Sequence, residues 1–144
     1  MSVSPLSLDV SSGIGTVAVR AHVVDNLSGF KDGWVGFTNG LAGNSYYAQL
    51  GDWNRVSGNA LDGWYEMNMS IAQYSAQGLY SISGANLRDA TNNYDYLTPE
   101  GLAQFGNGFF IGSSDVPEPE TYALILAGLG LLGVFSRRRK AMQP

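Results

Sequence analysis

The chain has 144 residues, enough for one domain and an appendage, and no cysteine, which excludes disulfides, thiolate zinc sites and cysteine nucleophiles. Only 14% of its residues are charged and 19 are glycine, a composition that favours short strands joined by turns over surface helices. Residues 1–115 carry ten acidic and four basic side chains, and this net charge of −6 disfavours nucleic acid as a partner.

Two segments of the chain alternate between apolar and polar residues. The amino-terminal sequence MSVSPLSLDVSSG precedes them and lacks the basic and apolar regions of a signal peptide, so none is predicted there. In TVAVRAHVV (16–24), apolar residues recur at every second position, and WYEMNMSI (64–71) places Trp64 and Tyr65 on opposite faces. Such alternation predicts half-buried β-strands.

Shorter strands and frequent turns complete the body of the chain. Further strands are predicted at 34–37, 46–50, 79–83 and 109–111. The turn signals are DNLSG (25–29), KDG (31–33), LDG (61–63), SAQG (75–78) and DATNN (89–93). A turn about every ten residues favours an all-β sandwich. A short helix is predicted in TPEGLAQFG (98–106), because Thr98 can cap it and Pro99 suits its first position.

Catalytic residues are scarce. His22 is the only histidine, and its position within a strand favours a structural role over membership of a Ser-His-Asp triad. The sequence also lacks the GxSxG elbow of many serine hydrolases. Asp62 and Glu66 could form a glycosidase pair only if their carboxyl groups were suitably spaced. We therefore expect no enzymatic activity.

Two binding roles compete with turn formation and core packing. Asp25, Asp62 and Asp89 lie in predicted turns, where carboxylates can bind Ca²⁺ but are also needed for the turns themselves. No other cofactor is predicted. Trp64 is the aromatic residue best placed to stack on a sugar ring, because alternation turns it away from the apolar face. The other aromatic candidates are Trp34, Trp53, Tyr46, Tyr47, Tyr74 and Tyr80.

The carboxyl-terminal part of the chain has a different character. Residues 121–136 carry no charge, and the basic cluster Arg137, Arg138, Arg139 and Lys140 follows at once. A core helix would carry polar positions on one face, whereas this segment is apolar all round. The pattern predicts a single transmembrane helix whose basic end stays in the cytoplasm, which places the body outside.

Val116, Pro117, Glu118 and Pro119 precede that apolar segment and basic cluster. The three-part arrangement, residues 115–140, resembles the PEP-CTERM sorting signal of exported bacterial proteins. The resemblance implies an exosortase that recognises the Pro-Glu-Pro motif and removes the tail during sorting. Such proteins also carry an amino-terminal signal peptide, so the resemblance predicts that the chain begins downstream of its true start or is a piece of a longer protein.

The body, assigned to residues 1–114, resembles immunoglobulin-like β-sandwich modules of bacterial surface proteins. The likeness lies in the turn sequences at Asp25–Gly29, Asp62-Gly63 and Asp89–Asn93 and in the strand sequence at Gly78–Tyr80. It implies a fold and carries no catalytic residues.

These patterns predict an all-β, immunoglobulin-like sandwich followed by a single transmembrane helix. The protein would be inserted in the inner membrane during export and then delivered to the cell surface or extracellular matrix. We expect a structural or adhesive role there, with extracellular polysaccharide as a partner. The alternatives are a carbohydrate-binding accessory module or hydrolase, and a permanently membrane-anchored assembly component.

Overall fold

The structure is a computed structural model that describes residues 1–112. The strands in this part of the chain are β1 (Ser2–Ser4), β2 (Ser7–Leu8), β3 (Gly15–Val24), β4 (Phe30–Asn39), β5 (Asn44–Gly51), β6 (Arg55–Gly58), β7 (Asp62–Ile71), β8 (Gly78–Asp89), β9 (Tyr94–Leu97) and β10 (Phe109–Ile111). Helix α1 (Pro99–Leu102) and two 3₁₀ turns, Asp52–Asn54 and Ala103–Phe105, are the helical elements there. The prediction of an all-β body is confirmed.

The strands form two sheets. The smaller sheet has the order β1-β3-β7-β6, and the larger has the order β2-β10-β8-β4-β5, with β9 also paired to β8. Neighbouring strands run antiparallel, except that β2 and β10 are parallel. Because β8 is 12 residues long, it pairs with β10 near its start and with β9 near its end.

The predicted alternation is present in β3 and β7. Val17, Val19, Tyr65 and Ile71 are fully buried, while Trp64 is 36% exposed on the opposite face of β7. The two strands pair over ten residues in register, from Gly15 opposite Ile71 to Val24 opposite Asp62. The apolar faces of β3 and β7 therefore turn inward where the two strands pair.

The core lies between the two sheets. The rings of Phe30 from β4 and Tyr65 from β7 meet edge to face, with centroids 4.8 Å apart. At the other end, Phe109 stacks on Tyr80 at 5.2 Å and lies 5.5 Å from Phe37. Burial of such aromatic area is the main source of stability in a domain of this size.

One predicted turn is wrong. Lys31, Asp32 and Gly33 lie inside β4, where Asp32 pairs with Arg88 of β8. A Cβ at Gly33 would overlap the carbonyl oxygen of Asn86, so glycine here permits close strand packing. The register shift between Phe30 and Asp32 places the extra residue, Lys31, in a bulge. Cross-strand pairing thus overrides the turn preference of these residues.

The helix prediction is confirmed. Thr98 has extended backbone angles and its hydroxyl accepts a hydrogen bond from the Gly101 amide at 3.4 Å. Pro99 is the first helical residue, and Leu102 faces the core. Within residues 1–112, no helix is long and apolar enough to cross a membrane. The predicted transmembrane helix at 121–136 lies outside the described residues.

Candidate functional site

His22 is held by two neighbours on the outer face of the smaller sheet. Its Nε2 and Oδ1 of Asp62 are 2.6 Å apart and share a hydrogen bond. Its ring stacks on Trp64, with centroids 4.7 Å apart and an interplanar angle of 9°. In the described part of the chain, no serine hydroxyl hydrogen-bonds to the His22 ring. The arrangement is that of a fixed surface residue, without the nucleophile that a triad requires.

Trp64, the predicted sugar-stacking residue, is engaged by its own neighbours. His22 takes up a face of the indole, and the guanidinium of Arg20 lies 4.8 Å from the ring centroid. The indole of Trp64 therefore already makes a stacking contact and a cation–π contact within the protein. A sugar ring would have to compete with both contacts.

The three aspartates predicted as calcium ligands serve other partners. Asp25 accepts hydrogen bonds from the amides of Leu27 and Ser28 and so closes the first turn. Asp62 bonds to His22, and Asp89 organises the turn after β8. Among residues 1–112, no group of three or more His, Asp or Glu side chains is placed to hold a metal ion. The structure does not bring Asp25, Asp62 and Asp89 together as a calcium site.

Asp89 accepts hydrogen bonds from several side chains around it. Desolvation works against its ionisation, but hydrogen bonds from Asn93, Ser28 and Thr91 outweigh that effect and hold its pKa well below the usual range. The Ser28 hydroxyl donates at 2.8 Å and the Asn93 side-chain amide at 2.7 Å. The carboxylate therefore ties the turn before β4 to the turn between β8 and β9.

Replacing Asp89 with asparagine should lower the melting temperature at pH 7 by several degrees, because the neutral amide is a weaker acceptor for these donors. A depressed pKa contributes stability above the unfolded-state value, near 4, and this stability is lost as the pH falls towards the folded-state value. The gap between wild type and Asp89→Asn should therefore narrow between pH 5 and pH 2.5. Thermal scans across that range, with Asp95→Asn as control, test this. A gap that is absent at pH 7, or constant with pH, contradicts it.

The outer side of the larger sheet carries the most exposed aromatic surface of the domain. We call Trp34, Tyr47, Trp53, Tyr94 and Tyr96 the outer aromatic face. Tyr47, Trp53, Tyr94 and Tyr96 are between 53% and 66% exposed. The face crosses four strands in the order β5-β4-β8-β9.

Strand register brings these residues into neighbouring rows. One row runs Gln49, Trp34, Asn86 and Tyr96, and the next contains Asp32, Arg88 and Tyr94. Since side chains alternate along a strand, the same registers send residues such as Val35 and Ala85 into the core. A groove of about 340 Å³ runs between the rows. Its lining residues are Asp32, Gly33, Trp34, Gln49, Trp53, Asn86, Arg88 and Tyr94.

Glycines let the rings lie close to the sheet. A Cβ at Gly36 would come within 3.2 Å of both Trp34 and Tyr47. A Cβ at Gly84 would lie 2.7 Å from the Tyr96 hydroxyl. Trp34 meets Tyr47 edge to face at 5.4 Å and Tyr96 at 6.4 Å, so the rings also brace one another. The outer aromatic face is therefore a fixed surface.

The two charged residues that line this groove, Arg88 and Asp32, form an ion pair. Arg88 donates from Nε to Asp32 Oδ1 at 2.9 Å, and a second, short hydrogen bond joins its Nη2 to Oδ2. This fork lowers the pKa of Asp32 and raises that of Arg88, so both stay ionised. Arg88 also lies 5.9 Å from the Tyr94 ring centroid. The pair is rigid and has no net charge.

Three residues of the outer aromatic face are also candidates from the sequence alone. Trp34, Tyr47 and Trp53 were among the aromatic candidates, but Tyr46 and Tyr80, also named, face the core. Tyr94 and Tyr96 were missed because β9 was not predicted. The alternation in YDYL (94–97), directly after the DATNN turn, is the signal that could have found them.

The sorting-motif residues Val116, Pro117, Glu118 and Pro119 and the basic cluster at 137–140 lie outside the described residues. Comparison with protein families covers both parts of the chain. Residues 2–114 match the family described as "Domain of unknown function (DUF7035)". Residues 115–140 match the PEP-CTERM protein-sorting motif, which supports the prediction of an exosortase substrate that is exported to a cell-surface or extracellular location.

No curated protein and no solved structure matches the chain. The first family match spans 113 of the 144 residues, from 2 to 114, which is well over half. The second begins directly after it. The chain therefore belongs to the DUF7035 family, and it carries a PEP-CTERM protein-sorting motif after that domain.

Proposed function

We propose that the protein is a non-catalytic surface or extracellular-matrix protein with a structural or adhesive role. The observation that carries the proposal is the sorting motif at 115–140, which follows the domain directly. Exosortase processing would free the domain from its tail, so the domain itself must supply the function outside the cell. A rigid, all-β module with a large exposed aromatic surface suits adhesion.

The export step would use the tail in two stages. The apolar residues 121–136 would enter the inner membrane while the basic cluster at 137–140 remains in the cytoplasm. Pro117 and Pro119 would keep the motif extended, because proline lacks an amide donor and disfavours helix in the residue before it. An extended segment is accessible to a processing enzyme.

We also propose that the module belongs to the immunoglobulin-like class. Immunoglobulin domains have strands A, B, E and D in one sheet and C, F and G in the other. When β1, β3, β4, β6, β7, β8 and β10 are equated with A to G, the two observed orders become A-B-E-D and G-F-C. The Tyr80 hydroxyl donates to the Ala76 carbonyl at 3.0 Å near the start of β8, which matches the tyrosine corner of such domains.

The arrangement of ionisable groups supports a non-catalytic role. Asp62, one member of the glycosidase pair considered from sequence, bonds to His22. Glu66 lies two residues beyond Trp64 on the same face of β7 and opposite Arg20. Four residues of strand separate the two Cα atoms by about 13 Å, with Trp64 between them. Within residues 1–112, the arrangement of these two carboxylates does not favour hydrolysis over binding.

A variant of the sorting motif tests the proposal. Replacing Pro117, Glu118 and Pro119 with alanine should leave the protein unprocessed and confined to the membrane fraction of the native host. Ser114→Ala, which lies just before the matched segment 115–140, is the control and should be released like wild type. The measurement is the distribution of each variant among membrane, surface and medium. Release of the motif variant at the wild-type level would refute exosortase sorting. Retention of the wild type, the motif variant and the control in the membrane fraction would favour a permanent membrane anchor.

A further inference from the structure

We infer that the outer aromatic face binds a neutral polysaccharide chain. The inference deepens the proposed adhesive role by naming its surface and the class of its ligand. It rests on the proposed export only for where the ligand is met, because binding is a property of the folded domain. The rings that would contact the ligand are those of Trp53, Tyr94, Tyr96 and Tyr47, with Trp34 at the centre of the face.

The rings of this face are exposed, which is unusual for aromatic side chains. Most aromatic side chains gain stability by burial, as Tyr65, Tyr80 and Phe109 do here. The outer aromatic face instead leaves four rings more than half exposed on one surface, although the sheet has a complete core on its other side. A contiguous exposed patch of this kind marks an interaction surface.

The face mixes aromatic rings with neutral polar groups. The side-chain amides of Gln49 and Asn86 stand in the same row as Trp34 and Tyr96. The tyrosine hydroxyls and these amides both donate and accept hydrogen bonds. A pyranose ring has apolar C–H faces and a rim of hydroxyl groups, so it matches rings interspersed with neutral hydrogen-bonding groups. A purely apolar partner would leave the amides without hydrogen bonds.

The residues that line the groove carry no net charge. Arg88 is the cation of the groove, and Asp32 neutralises it through two hydrogen bonds. Residues 1–112 carry nine acidic and four basic side chains, a net charge of −5. An acidic polysaccharide would meet repulsion from the domain and no free cation in the groove. The charge pattern therefore selects a neutral chain.

The face is broad and open. The face spans β5, β4, β8 and β9, so three interstrand spacings give it a width of about 14 Å. The groove in this face is open to solvent, which suits a segment of a long polymer. The chain leaves the described residues near Gly112, beside the start of β8, whereas Asn86 lies eight residues further along that strand. The row of the face that contains Asn86 is thus about 26 Å, measured along β8, from the last described residues of the chain.

Affinity electrophoresis of the full chain in neutral detergent tests the inference. The probes are hydroxyethyl cellulose, its acidic counterpart carboxymethyl cellulose, and the native host's extracellular polysaccharide separated by anion exchange into neutral and acidic fractions. We expect a neutral probe to retard the protein more strongly than its acidic counterpart. Trp53→Ala and Tyr96→Ala should each weaken binding about fivefold, since an aromatic contact is worth about 1 kcal/mol.

Trp64→Ala is the matched control, because it removes an indole from the smaller sheet and should bind like wild type. Unchanged melting of the face variants shows that the fold is intact, as their exposure leads us to expect. The inference is overturned if no neutral probe retards the protein, if acidic probes bind better, or if only Trp64→Ala reduces binding. It is also overturned if sedimentation shows a dimer that the face variants dissociate. Correct tail processing with any of these outcomes would leave the proposed export intact.

Discussion

Replacing Phe109 with alanine will cost about 3–5 kcal/mol of the free energy of unfolding, the range found for buried phenylalanine. The ring is 1% exposed and stacks on Tyr80, with an interplanar angle of 3°. It also lies 5.5 Å from Phe37 and 6.4 Å from Tyr46. Alanine would leave a cavity among rings that β4, β5 and β8 hold in place. A domain with ordinary stability, about 5–15 kcal/mol, would lose a large part of it.

Phe110 is the matched control for this substitution. It follows Phe109 on β10, but alternation turns it outward and leaves it 43% exposed. We expect Phe110→Ala to cost about 1 kcal/mol or less. Urea unfolding of both variants, followed by tryptophan fluorescence, gives the comparison. Equal losses would contradict the assignment of Phe109 to the core and of Phe110 to the surface.

Gly108→Ala should be at least as damaging, at more than about 4 kcal/mol, because it combines backbone strain with a steric clash. Gly108 has a φ of +109°, a conformation that side chains disfavour. A Cβ there would also overlap the carbonyl oxygen of Tyr80, whose backbone is held by pairing with Phe109. Neither group can move without breaking the end of the sheet.

Gly106 separates the two causes of that loss. Its φ is +105°, nearly the same as that of Gly108, but a Cβ there would meet no atom within 4 Å. Gly106→Ala should therefore show the conformational strain alone, about 1–3 kcal/mol. The difference in unfolding free energy between the two variants measures the clash. Equal free energies would contradict the close approach of Gly108 to β8.

Local patterns were sufficient for most of the fold. Apolar alternation in β3 and β7 predicted both the strands and their buried faces, and Thr98 and Pro99 predicted helix α1. These signals depend on a residue and its near neighbours, which sequence shows directly. The two-residue β2 is too short to produce such a pattern, and its strand state depends on pairing with β10.

The features that sequence did not predict depend on pairing between residues that are far apart in the chain. The turn predicted at 31–33 became strand because Asp32 meets Arg88, 56 residues later. The choice of Trp64 as the sugar-binding candidate has the same origin. Alternation shows that its side chain faces outward, but it does not show that the ring stacks on His22. The outer aromatic face joins residues from β4, β5, β9 and the 3₁₀ turn at Asp52–Asn54. Only the sheet order shows that they are neighbours.

The exported state of the protein rests on its tail, so the carboxyl terminus of the mature protein is the most direct test. Mass spectrometry of protein recovered from the native host's envelope and medium would identify that terminus. Exosortase sorting predicts a last residue near Pro117 to Glu120, with residues 121–144 removed. A terminus at Pro144 in the membrane fraction, with no shorter form in the medium, would contradict it.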